Sequence, residues 1–462
     1  MASTTPDLLI TGGDVVTMNP RREVLIGGAV AIAGERILAV GATGELRARW
    51  PGAAELDATD CVVTPGLVNA HQHLTGDPLV RACIPDDITS QEAVHRWAVP
   101  IHRAHTAEDE ELAALLACVE NLRNGVTTIV EAGTVAHPER VAAAMTRSGV
   151  RGTVGVWGWD VEGVPHSAPA AEVLERLSEV IESYPAGGLV EGRVTLVGHG
   201  LASDELLAGA AELARRTGAG MTMHMSPTRA DVDHYLARSG RRPLLHLARL
   251  GVLGPHLLLA HGVWLDDAEV DALLDSGTAV AYCPWAYLRL GQGVTRAGRH
   301  AEIFTRSGRI ALGCDAANAG DAADILRTAA LAVGLAKDTA VDPTTIGAPE
   351  GLEMATIRGA EAIGMADRIG SIEEGKLADL VVHDATGPQW TPRGDVAHQL
   401  IWSSDGRNVR DVLVGGRHVV RRGRCTTVDE HALRERAITS SAGLLRRAGI
   451  AVRHRWPHLR SH

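Results

Sequence analysis

The sequence predicts an α/β protein, a (β/α)8 TIM barrel with a small β-sandwich domain built from both termini. Strand and helix patterns alternate over roughly 300 residues in the middle of the chain, which is typical of a parallel barrel rather than of separate domains. Short strands separated by glycine-rich turns occupy both ends. Histidines and an aspartate follow several of the central strands, at the end of the barrel where such folds carry their chemistry.

Both ends of the chain have the pattern of a small β-domain. Short apolar runs surround Gly12-Gly13 near the start and Gly415-Gly416 near the end. We therefore expect the two ends to combine into one β-sandwich. The predicted boundaries are 1–65 for its N-terminal part, 66–365 for the barrel, 366–427 for its C-terminal part and 428–462 for a helical tail.

The barrel region contains repeated strand–helix units. Thr106, with Asp109 three residues later, predicts the start of a helix, and Asn124-Gly125 predicts its end. Residues 126–130 then have the apolar character of a buried strand. Further strands are expected at residues 194–197, 221–223, 257–260, 278–282 and 310–312.

Composition and charge exclude several classes of protein. The net charge of −11 argues against nucleic acid or an anionic membrane as a partner, because neither would be attracted. The sequence shows no apolar run long enough to span a bilayer and no secretory signal, so we expect a cytoplasmic protein. The six cysteines form no CxxC pair and are expected to be reduced. We expect a small-molecule substrate as the partner.

The most informative motif is His71-Gln72-His73, which follows the first predicted barrel strand. Side chains alternate along a strand, so the two imidazoles point to the same side. Later strands are followed in the same way by His199, His224, His261 and Asp315. A single histidine at a strand end is more often a packed or surface residue, but the joint pattern predicts a metal site, which needs three or four ligands.

Such a site suits hydrolysis. Three neutral imidazoles and a carboxylate leave a divalent ion with a net positive charge and an open position for water, whose pKa the ion lowers toward neutrality. Asp315 can bind the ion and also accept the proton of that water. His261 can orient the water or stabilise an oxyanion.

Motifs at and near these strand ends extend over nearly the whole chain. They are Thr64-Pro-Gly-Leu-Val-Asn-Ala-His-Gln-His73, Asn124-Gly-Val-Thr-Thr128, Val197-Gly-His-Gly-Leu-Ala-Ser203, His224, Ala260-His-Gly262, Tyr282-Cys-Pro284, Leu312-Gly-Cys-Asp315 and Gly370-Ser-Ile-Glu-Glu-Gly-Lys-Leu-Ala-Asp-Leu-Val381. In these motifs the sequence resembles the amidohydrolase superfamily, and within it the group of cytosine deaminase, atrazine chlorohydrolase and S-adenosylhomocysteine deaminase. The resemblance implies the barrel and the sandwich. It also implies hydrolysis of a C–N bond, other than a peptide bond, in a small cyclic or heteroaromatic substrate.

The resemblance also implies roles for residues at the strand ends. The implied ligands of one metal ion, usually zinc and sometimes iron, are His71, His73, His224 and Asp315. His261 matches the histidine beside the hydrolytic water, and His199 matches a substrate-contacting position. Relatives with two ions usually bridge them with a lysine or glutamate on the fourth strand, and residues 194–197 contain neither, which favours one ion. Because relatives are often dimers or larger, a homo-oligomer is expected.

One position departs from the deaminases of this group. They carry a proton-transferring glutamate three residues after the fifth-strand histidine, where this chain has Pro227. Either another acid transfers the proton, with Asp231, Glu131 and Asp204 as candidates, or the substrate is an amide, lactam or carbamate that does not need it. Glu131 can also be an outer partner of a metal-binding histidine or a charge at the barrel end. A member that binds a ligand without hydrolysis and a carbon–halogen hydrolase are further alternatives.

Other residues are candidates for substrate contact. His199 and Asn318 can hydrogen-bond a substrate, although Asn318 can equally shape the loop after its strand. Trp159 and Trp285 can stack on a flat substrate or pack the core and a loop. Residues 81–97 predict either a lid over the site or a solvated loop.

Overall fold

Parallel strands and helices fill the middle of the chain in the computed structural model, which describes residues 5–320 and 322–457. The strands are β1 (Leu8–Val16), β2 (Val24–Ala33), β3 (Arg36–Ala42), β4 (Glu55–Asp57), β5 (Cys61–Pro65), β6 (Leu67–Gln72), β7 (Val126–Glu131), β8 (Arg151–Val154), β9 (Val190–Gly192), β10 (Val194–Gly198), β11 (Met221–Met225), β12 (Leu257–His261), β13 (Ala279–Tyr282), β14 (Ile310–Leu312), β15 (Leu380–Asp384), β16 (Val409–Val414), β17 (Arg417–Arg421) and β18 (Arg424–Cys425).

The helices lie mostly between the parallel strands and at the C-terminus. They are α1 (Thr43–Arg49), α2 (Ser90–Ala93), α3 (Val99–Ala104), α4 (Ala107–Arg123), α5 (Pro138–Ser148), α6 (Ala170–Ser183), α7 (Asp204–Thr217), α8 (Arg229–Ser239), α9 (Pro243–Arg249), α10 (Asp267–Ser276), α11 (Pro284–Arg289), α12 (Val294–Ala297), α13 (His300–Thr305), α14 (Ile325–Ala340), α15 (Ala348–Ala355), α16 (Ile357–Ile363), α17 (Val396–Trp402) and α18 (Glu430–Arg447). A π-helical turn, Val94–Ala98, joins α2 to α3, and 3₁₀ turns lie at Asp77–Val80, Pro388–Trp390 and Gly406–Asn408.

Strands from both ends of the chain share one sheet, which has nine strands in the described part of the chain. Its order is β18-β17-β16-β15-β5-β1-β2-β3, with β4 beside β1. The two ends meet where β5 pairs antiparallel with β15, with Thr64 opposite Val381. An apolar cluster that includes Ile10, Val63 and Leu380 is buried here. Hydrophobic burial therefore adds to the backbone hydrogen bonds that hold the two ends together.

The central strands form two parallel sheets, β6-β7-β8-β9 and β10-β11-β12-β13-β14. Backbone hydrogen bonds connect them at two places. The N–H groups of Cys314 and Asp315, just after β14, donate to the carbonyl of His71 on β6 at 3.1 and 2.9 Å. The N–H of Arg193, just before β10, donates to the carbonyl of Val154 on β8 at 2.9 Å. This order of strands and helices fits a TIM-barrel-type fold.

Local sequence explains where the helices begin and end. At the start of α4, the side chains of Thr106 and Asp109 exchange hydrogen bonds with each other's backbone N–H groups, which confirms the predicted helix start. The helix ends before Asn124, and Gly125 follows with a φ of +79° that glycine adopts without strain. At the start of α7, the hydroxyl of Ser203 accepts a backbone N–H in the same capping role.

The C-terminal helix α18 packs against α4. The carboxylate of Asp109, which caps α4, also accepts hydrogen bonds from the side chains of Ser440 and Arg447 on α18. α18 falls within residues 428–462, the range predicted as a helical tail, of which residues 458–462 lie outside the described part of the chain.

Every helix in residues 5–320 and 322–457 is too short or too polar to cross a membrane. The six cysteines are free, as predicted, and five of them are buried. Burial raises the pKa of the Cys83 and Cys118 thiols to about 12, so these thiols are protonated and unreactive at neutral pH.

Candidate metal centre

The four predicted metal ligands lie together at the carboxyl ends of their strands. Nε2 of His73 is 3.2 Å from Nε2 of His224 and 3.4 Å from Oδ1 of Asp315. Nε2 of His71 is 3.8 Å from the same carboxylate oxygen. Ligand atoms of His71, His261 and Asp315 also lie within 4.8 Å of one another. Side chains from β6, β11 and the end of β14 therefore form one group with the chemistry of a metal site.

Hydrogen bonds behind the histidines fix which ring nitrogen faces this group. Nδ1 of His224 donates to the carbonyl of Val197 at 2.8 Å, and Nδ1 of His73 lies 2.9 Å from Oγ1 of Thr134. His224 thus presents Nε2 to the centre as an acceptor, and His73 also directs its Nε2 toward the centre. Both ring nitrogens of His71 are buried without a hydrogen-bond partner among the described residues. Inward-facing imidazole lone pairs and an orphaned buried histidine fit a divalent cation such as Zn2+.

Burial and neighbouring charges set the protonation of the group. Burial lowers the pKa of His71 and His224 well below its usual value, so these rings are neutral. Burial acts on His73 in the same way, but the hydrogen bond and charge of Asp315 outweigh it and raise the His73 pKa. Burial opposes ionisation of Asp315, yet the surrounding histidines, His73 and His261 foremost, hold its pKa well below its usual range. Asp315 therefore supplies the negative charge that a dication requires.

Strained backbone at the strand ends aims the side chains of the site. Four residues other than glycine have positive φ here: His199 (53°), Ser226 (53°), His261 (83°) and Asp315 (62°). Such values are uncommon outside glycine and recur at functional sites, where the surrounding structure must offset their cost. They occur at or just after the ends of β10, β11, β12 and β14, which position His199, His224, His261 and Asp315.

Gly313 lets β14 approach β6 closely. A Cβ atom at this position would lie 2.9 Å from Cβ of His71. The side chain of Asn69 stabilises the same junction. Its Nδ2 donates to Oε1 of Gln72 at 2.6 Å, and its Oδ1 accepts from the backbone N–H of Cys314 at 3.1 Å. One glycine and a buried polar network therefore fix the position of Asp315 relative to His71.

His261 lies beside the ligands at the end of β12. Its ring centroid is 5.4 Å from that of His71 and 5.4 Å from that of His224. Its carbonyl accepts a hydrogen bond from Nε2 of His300 at 2.7 Å, whereas its buried Nδ1 has no partner in the described part of the chain. Burial lowers the pKa of His261 to about 4, so the ring is neutral and available to water or substrate.

His199 is held in place by Asp231. Nδ1 of His199 donates to Oδ1 of Asp231 at 2.9 Å, and its ring stacks on that of His224 with centroids 5.5 Å apart. Burial favours the neutral acid, but the charge and hydrogen bond of His199 outweigh it and lower the pKa of Asp231. The same carboxylate also caps α8 together with Thr228. Asp231, a candidate for the relocated acid, is thus an ionised anchor of His199.

Glu131, the second candidate acid, braces a metal-ligand candidate from behind. Its fully buried carboxylate accepts from the backbone N–H groups of Gly133 at 2.7 Å and Thr134 at 3.3 Å. The hydroxyl of Thr134 is the group that contacts Nδ1 of His73. Burial raises the pKa of Glu131 to about 7. Of the two roles that the sequence left open, this geometry favours the outer partner of a histidine.

Asp204, the third candidate acid, lies in an ion-pair cluster between helices. It accepts from Nε2 of His246 at 2.8 Å and pairs with Arg238 at 2.9 Å. Its side chain is 41% exposed. Its charge therefore links α7 to α8 and α9.

Asp77 is a buried acid near the centre that sequence reasoning missed. It opens the 3₁₀ turn after β6, is 8% exposed and accepts from Nδ2 of Asn318 at 2.7 Å. Burial raises its pKa, the charge of His73 opposes this rise and the charge of Asp315 adds to it. The charges of two candidate ligands, His73 and Asp315, therefore affect the pKa of Asp77. An acid four residues after His73 is the signal by which the sequence reveals it.

Asn318, a predicted substrate contact, fastens the segment that follows β6. Besides the bond to Asp77, its Nδ2 donates to the carbonyl of Val80 and its Oδ1 accepts from the N–H of Ile84, both at 3.3 Å. Residues 81–97, predicted as a lid or a solvated loop, contain α2 and most of the π-helical turn. This segment is therefore partly helical and anchored at its base.

The two predicted aromatic contacts lie in different environments. Trp159 is buried and stacks on Trp157 with ring centroids 4.5 Å apart, and its Nε1 donates to the carbonyl of Pro165 at 2.7 Å. Trp285 is half-buried, with the guanidinium of Arg327 5.2 Å from its ring, and lines a groove beside α14 and α17. Substrate contact by either ring stays a prediction.

Known proteins resemble the chain over almost its full length. The sequence profile of the amidohydrolase family matches residues 62–419, and that of a bacterial imidazolonepropionase-like composite domain matches residues 28–53. The chain is 32% identical over 438 residues to 5-methylthioadenosine/S-adenosylhomocysteine deaminase of Syntrophobacter fumaroxidans, which covers 94% of this chain and 98% of the relative. It is 29% identical to 5'-deoxyadenosine deaminase of Methanosarcina mazei, with 96% and 99% covered.

Solved structures resemble the fold as a whole. An adenosine deaminase from Xanthomonas campestris with bound zinc has a TM-score of 0.90 at 29% identity, covering 95% of this chain and 99% of its own. Atrazine chlorohydrolase from Arthrobacter aurescens, complexed with zinc, has a TM-score of 0.86 at 24% identity, covering 95% and 100%. The second likeness concerns the fold alone. Together with the mixed strands and helices, these neighbours fit a TIM-barrel-type fold.

Proposed function

Because the chain belongs to the amidohydrolase family, we propose that it is a mononuclear zinc-dependent deaminase that removes an amino group from a small heteroaromatic substrate. Relatives named as deaminases support the coarser statement that the chain is an amidohydrolase-type hydrolase of C–N bonds. One observation carries the finer proposal. Three imidazoles and a carboxylate, from His71, His73, His224 and Asp315, approach one another closely.

We further infer that the two parallel sheets close into one barrel over residues 66–365. The hydrogen bonds from the N–H groups of Cys314 and Asp315 to the carbonyl of His71 support this closure, because they join the end of β14 to β6. The sheet shared by the two ends is then the sandwich of residues 1–65 and 366–427. In this arrangement the candidate metal centre lies at the carboxyl mouth of the barrel, where TIM-barrel active sites lie.

The proposed ligands hold one divalent cation, Zn2+ in preference to Fe2+. Three imidazoles and one carboxylate are ligands that zinc takes in catalytic sites, and a structural neighbour at 29% identity is described with bound zinc. The absence of a lysine or glutamate from β10 favours a single ion. When bound, the ion would supply a nucleophilic water at neutral pH.

The remaining side chains divide the proton transfers and the binding of substrate. Asp315, an anion beside the imidazoles, takes the proton of the attacking water and passes it to the departing amine. His261, neutral and with an unpartnered Nδ1, orients that water and stabilises developing negative charge. His199, positioned by Asp231, hydrogen-bonds the substrate.

Asp77 is the proton donor that we assign to the ring nitrogen of the substrate, and the second proton of the attacking water restores its acid form as the product carbonyl forms. Attack on an amino-substituted ring places negative charge on that nitrogen, and Pro227 has no proton to offer. The three acids considered from the sequence are each bound by other groups. Asp77 is held by Asn318, and burial raises its pKa, which favours its acid form. The influence of His73 on this pKa supports its proximity to the centre.

An amino-purine nucleoside is the substrate class that we propose first. The relatives at 32% and 29% identity are named for 5-methylthioadenosine, S-adenosylhomocysteine and 5'-deoxyadenosine, all of which carry an adenine ring. A flat ring of this kind suits stacking on an aromatic face, so Trp159 and Trp285 remain candidates, with Asn318 as a polar one.

Ammonia release from the zinc-loaded protein tests this proposal. The panel contains the three named nucleosides, adenosine, and amino-substituted pyrimidines and triazines. We expect ammonia and a change in ring absorbance with at least one nucleoside, and neither with His224→Ala. Zinc-loaded protein that releases no ammonia from any of these compounds would reject deamination.

Pro227 favours hydrolysis of a cyclic amide as the second candidate. It is buried at the end of β11, where the deaminases that the sequence resembles have their glutamate. Opening an amide or lactam does not require protonation of a ring nitrogen. Mass spectrometry would detect this reaction as the addition of one water, and chloride release would detect carbon–halogen hydrolysis. Metal-loaded protein inert in all these assays would indicate a ligand-binding member.

A further inference from the structure

A second cavity lies at the amino-terminal ends of the parallel strands, opposite the candidate metal centre. Its volume is about 450 Å³. Three of its lining residues directly precede consecutive strands, namely Arg193 before β10, Gly220 before β11 and His256 before β12. The candidate ligand His224 lies at the carboxyl end of β11, so the cavity and the metal centre lie at opposite ends of this strand.

Arg193 is a buried cation whose donors are largely unused. The residue is 3% exposed, and the hydrogen bond of its guanidinium is a long one, from Nη2 to the carbonyl of Met221 at 3.4 Å. Its Nε is buried without a partner in the described part of the chain. Burial lowers its pKa to about 10, which still leaves the group charged at neutral pH. The charge of Glu191 opposes this effect of burial, but a buried cation with so few direct hydrogen bonds still favours an anion beside it.

Two more unpartnered polar groups line the same cavity. Nε2 of His256 and Oγ1 of Thr153 are buried, and neither has a hydrogen-bond partner within the described residues. Gly220 allows the guanidinium to lie flat against the backbone, because a Cβ there would be 2.5 Å from Cζ of Arg193. The polar groups of Arg193, His256 and Thr153 therefore line the same cavity.

The acidic residue of the cavity wall is already neutralised. Glu191 accepts from Nη1 of Arg368 at 2.6 Å and from the N–H of Gly187 at 3.0 Å. Arg215 adds a further cation to the lining, in contact with Glu212 on its own helix at 2.9 Å. One carboxylate, Glu191, thus acts on both Arg368 and Arg193, and with Arg215 the cavity lining has an excess of positive charge.

We propose that this cavity binds a tetrahedral oxyanion of the phosphate class, with Arg193 and Thr153 as its donors and the imidazole of His256 as a further contact. Arg193 provides a planar fork of N–H groups that matches two oxygens of such an anion. The imidazole and the hydroxyl contact its other oxygens. This site is independent of the proposed deaminase activity, since it shares no residue with the metal centre.

The melting temperature in phosphate tests the proposal. Inorganic phosphate replaces chloride at constant ionic strength and pH, and sulfate, acetate and a nucleoside monophosphate form parallel series. We expect phosphate and sulfate to raise the Tm of the wild type by roughly 1–3 °C at saturation, because a ligand that binds only the folded state stabilises it. A larger Tm shift with the nucleoside monophosphate than with phosphate would indicate that the cavity binds the phosphate group of a larger ligand. Acetate should have little effect on the Tm.

Arg193→Met removes the proposed cation and should abolish the phosphate-dependent shift, whatever its effect on basal Tm. Arg216→Met is the matched control, because Arg216 is exposed on α7 and does not line the cavity. It should keep the full shift. His256→Ala should weaken the phosphate-dependent Tm shift. This variant replaces Arg193→Met in the test if Arg193→Met does not fold. An unchanged wild-type Tm in phosphate, or an equal shift in a folded Arg193→Met, would overturn the proposal.

Discussion

The proposed proton transfer depends on Pro227 and Asp77. The resemblance implies a glutamate where this chain has Pro227, just after β11, and the buried aspartate offers an acid from the turn after β6. The two positions are far apart in sequence, yet the charges of His73 and Asp315 both act on Asp77. Asn318 holds the carboxyl in place at 2.7 Å. In this account the proton donor has moved from one strand end to another around the same centre.

Asp77→Asn should lower deaminase activity while the protein keeps its metal. An amide of the same shape can still contact Asn318 but has no acidic proton, so kcat should fall by about 10²- to 10⁴-fold. Metal content and KM should change little. Asp86→Asn, at an exposed position in the same segment, is the control and should have wild-type kcat. Full activity in Asp77→Asn would remove this residue from the mechanism.

The pH profile provides a second readout of the same variant. Burial raises the pKa of Asp77, and the proposed role requires the protonated form. Activity that depends on Asp77 is therefore full below this pKa and is lost as pH rises through it. Asn does not titrate, so Asp77→Asn should lack this limb of the profile. An identical limb in both proteins would assign it to another group.

At the scale of elements, the contact between β14 and β6 positions the candidate centre. The two strands are joined by hydrogen bonds to the carbonyl of His71, and Gly313 leaves no room for a side chain between them. Asp315 follows directly and turns inward through a φ of +62°. The position of the carboxylate therefore depends on how closely these two strands approach.

Gly313→Ala should reduce metal binding. Its methyl group would lie 2.8 Å from Sγ of Cys283 and 2.9 Å from Cβ of His71, so β14 must shift and carry Asp315 with it. Zinc content after purification, measured by elemental mass spectrometry, should fall below that of the wild type. Gly334→Ala is the control, because that site on α14 has no neighbour within 4 Å and should retain full zinc. Wild-type zinc content in Gly313→Ala would contradict this account of the junction.

Elements with a clear apolar period could be predicted closely from the sequence. The strands expected at residues 194–197 and 257–260 are observed as β10 and β12, one residue longer each. The short helices α11 to α13 and the π-helical turn were not expected. Their sequences lack a strong apolar period, and their form depends on contacts with distant parts of the chain. The local sequence pattern therefore predicts the regular strands better than the short, irregular helices between them.

The same limit applies to the candidate site. His71, His73, His224 and Asp315 were found because the ends of parallel strands gather at one place, whatever the details of packing. Asp77 was missed because its burial arises from a turn and from a distant asparagine. No pattern in the sequence alone predicts the contact between Asp77 and Asn318.

At the scale of the whole molecule, a buried ion pair links the parallel strands to the sheet formed by both ends. Arg151 on β8 donates to Asp379, just before β15, at 2.7 and 3.2 Å, and both side chains are at most 6% exposed. Asp379 also accepts from the N–H of Gly415 at 2.7 Å. This ion pair therefore connects the region of parallel strands to the sheet formed by both ends of the chain, which the sequence predicts as separate units.

Asp379→Ala should destabilise the protein by about 3–5 kcal/mol, because it leaves the Arg151 cation buried without its partner. Chemical denaturation measures this loss. The double change Arg151→Met with Asp379→Leu removes both charges and should cost much less. Glu435→Ala breaks an exposed pair and should change stability by less than about 1 kcal/mol. Equal stability of Asp379→Ala and Glu435→Ala would show that the buried pair does not join these parts.

Metal stoichiometry tests the central claim, that four side chains from separate strands hold one divalent ion. Protein purified with ample zinc and iron is analysed by elemental mass spectrometry, as wild type and as His224→Ala. Circular dichroism confirms that both are folded. We expect about one zinc ion per chain in the wild type and little in the variant, since a zinc site needs at least three protein ligands with correct geometry. A folded wild type without bound metal, or a variant that retains a full equivalent, would contradict the claim.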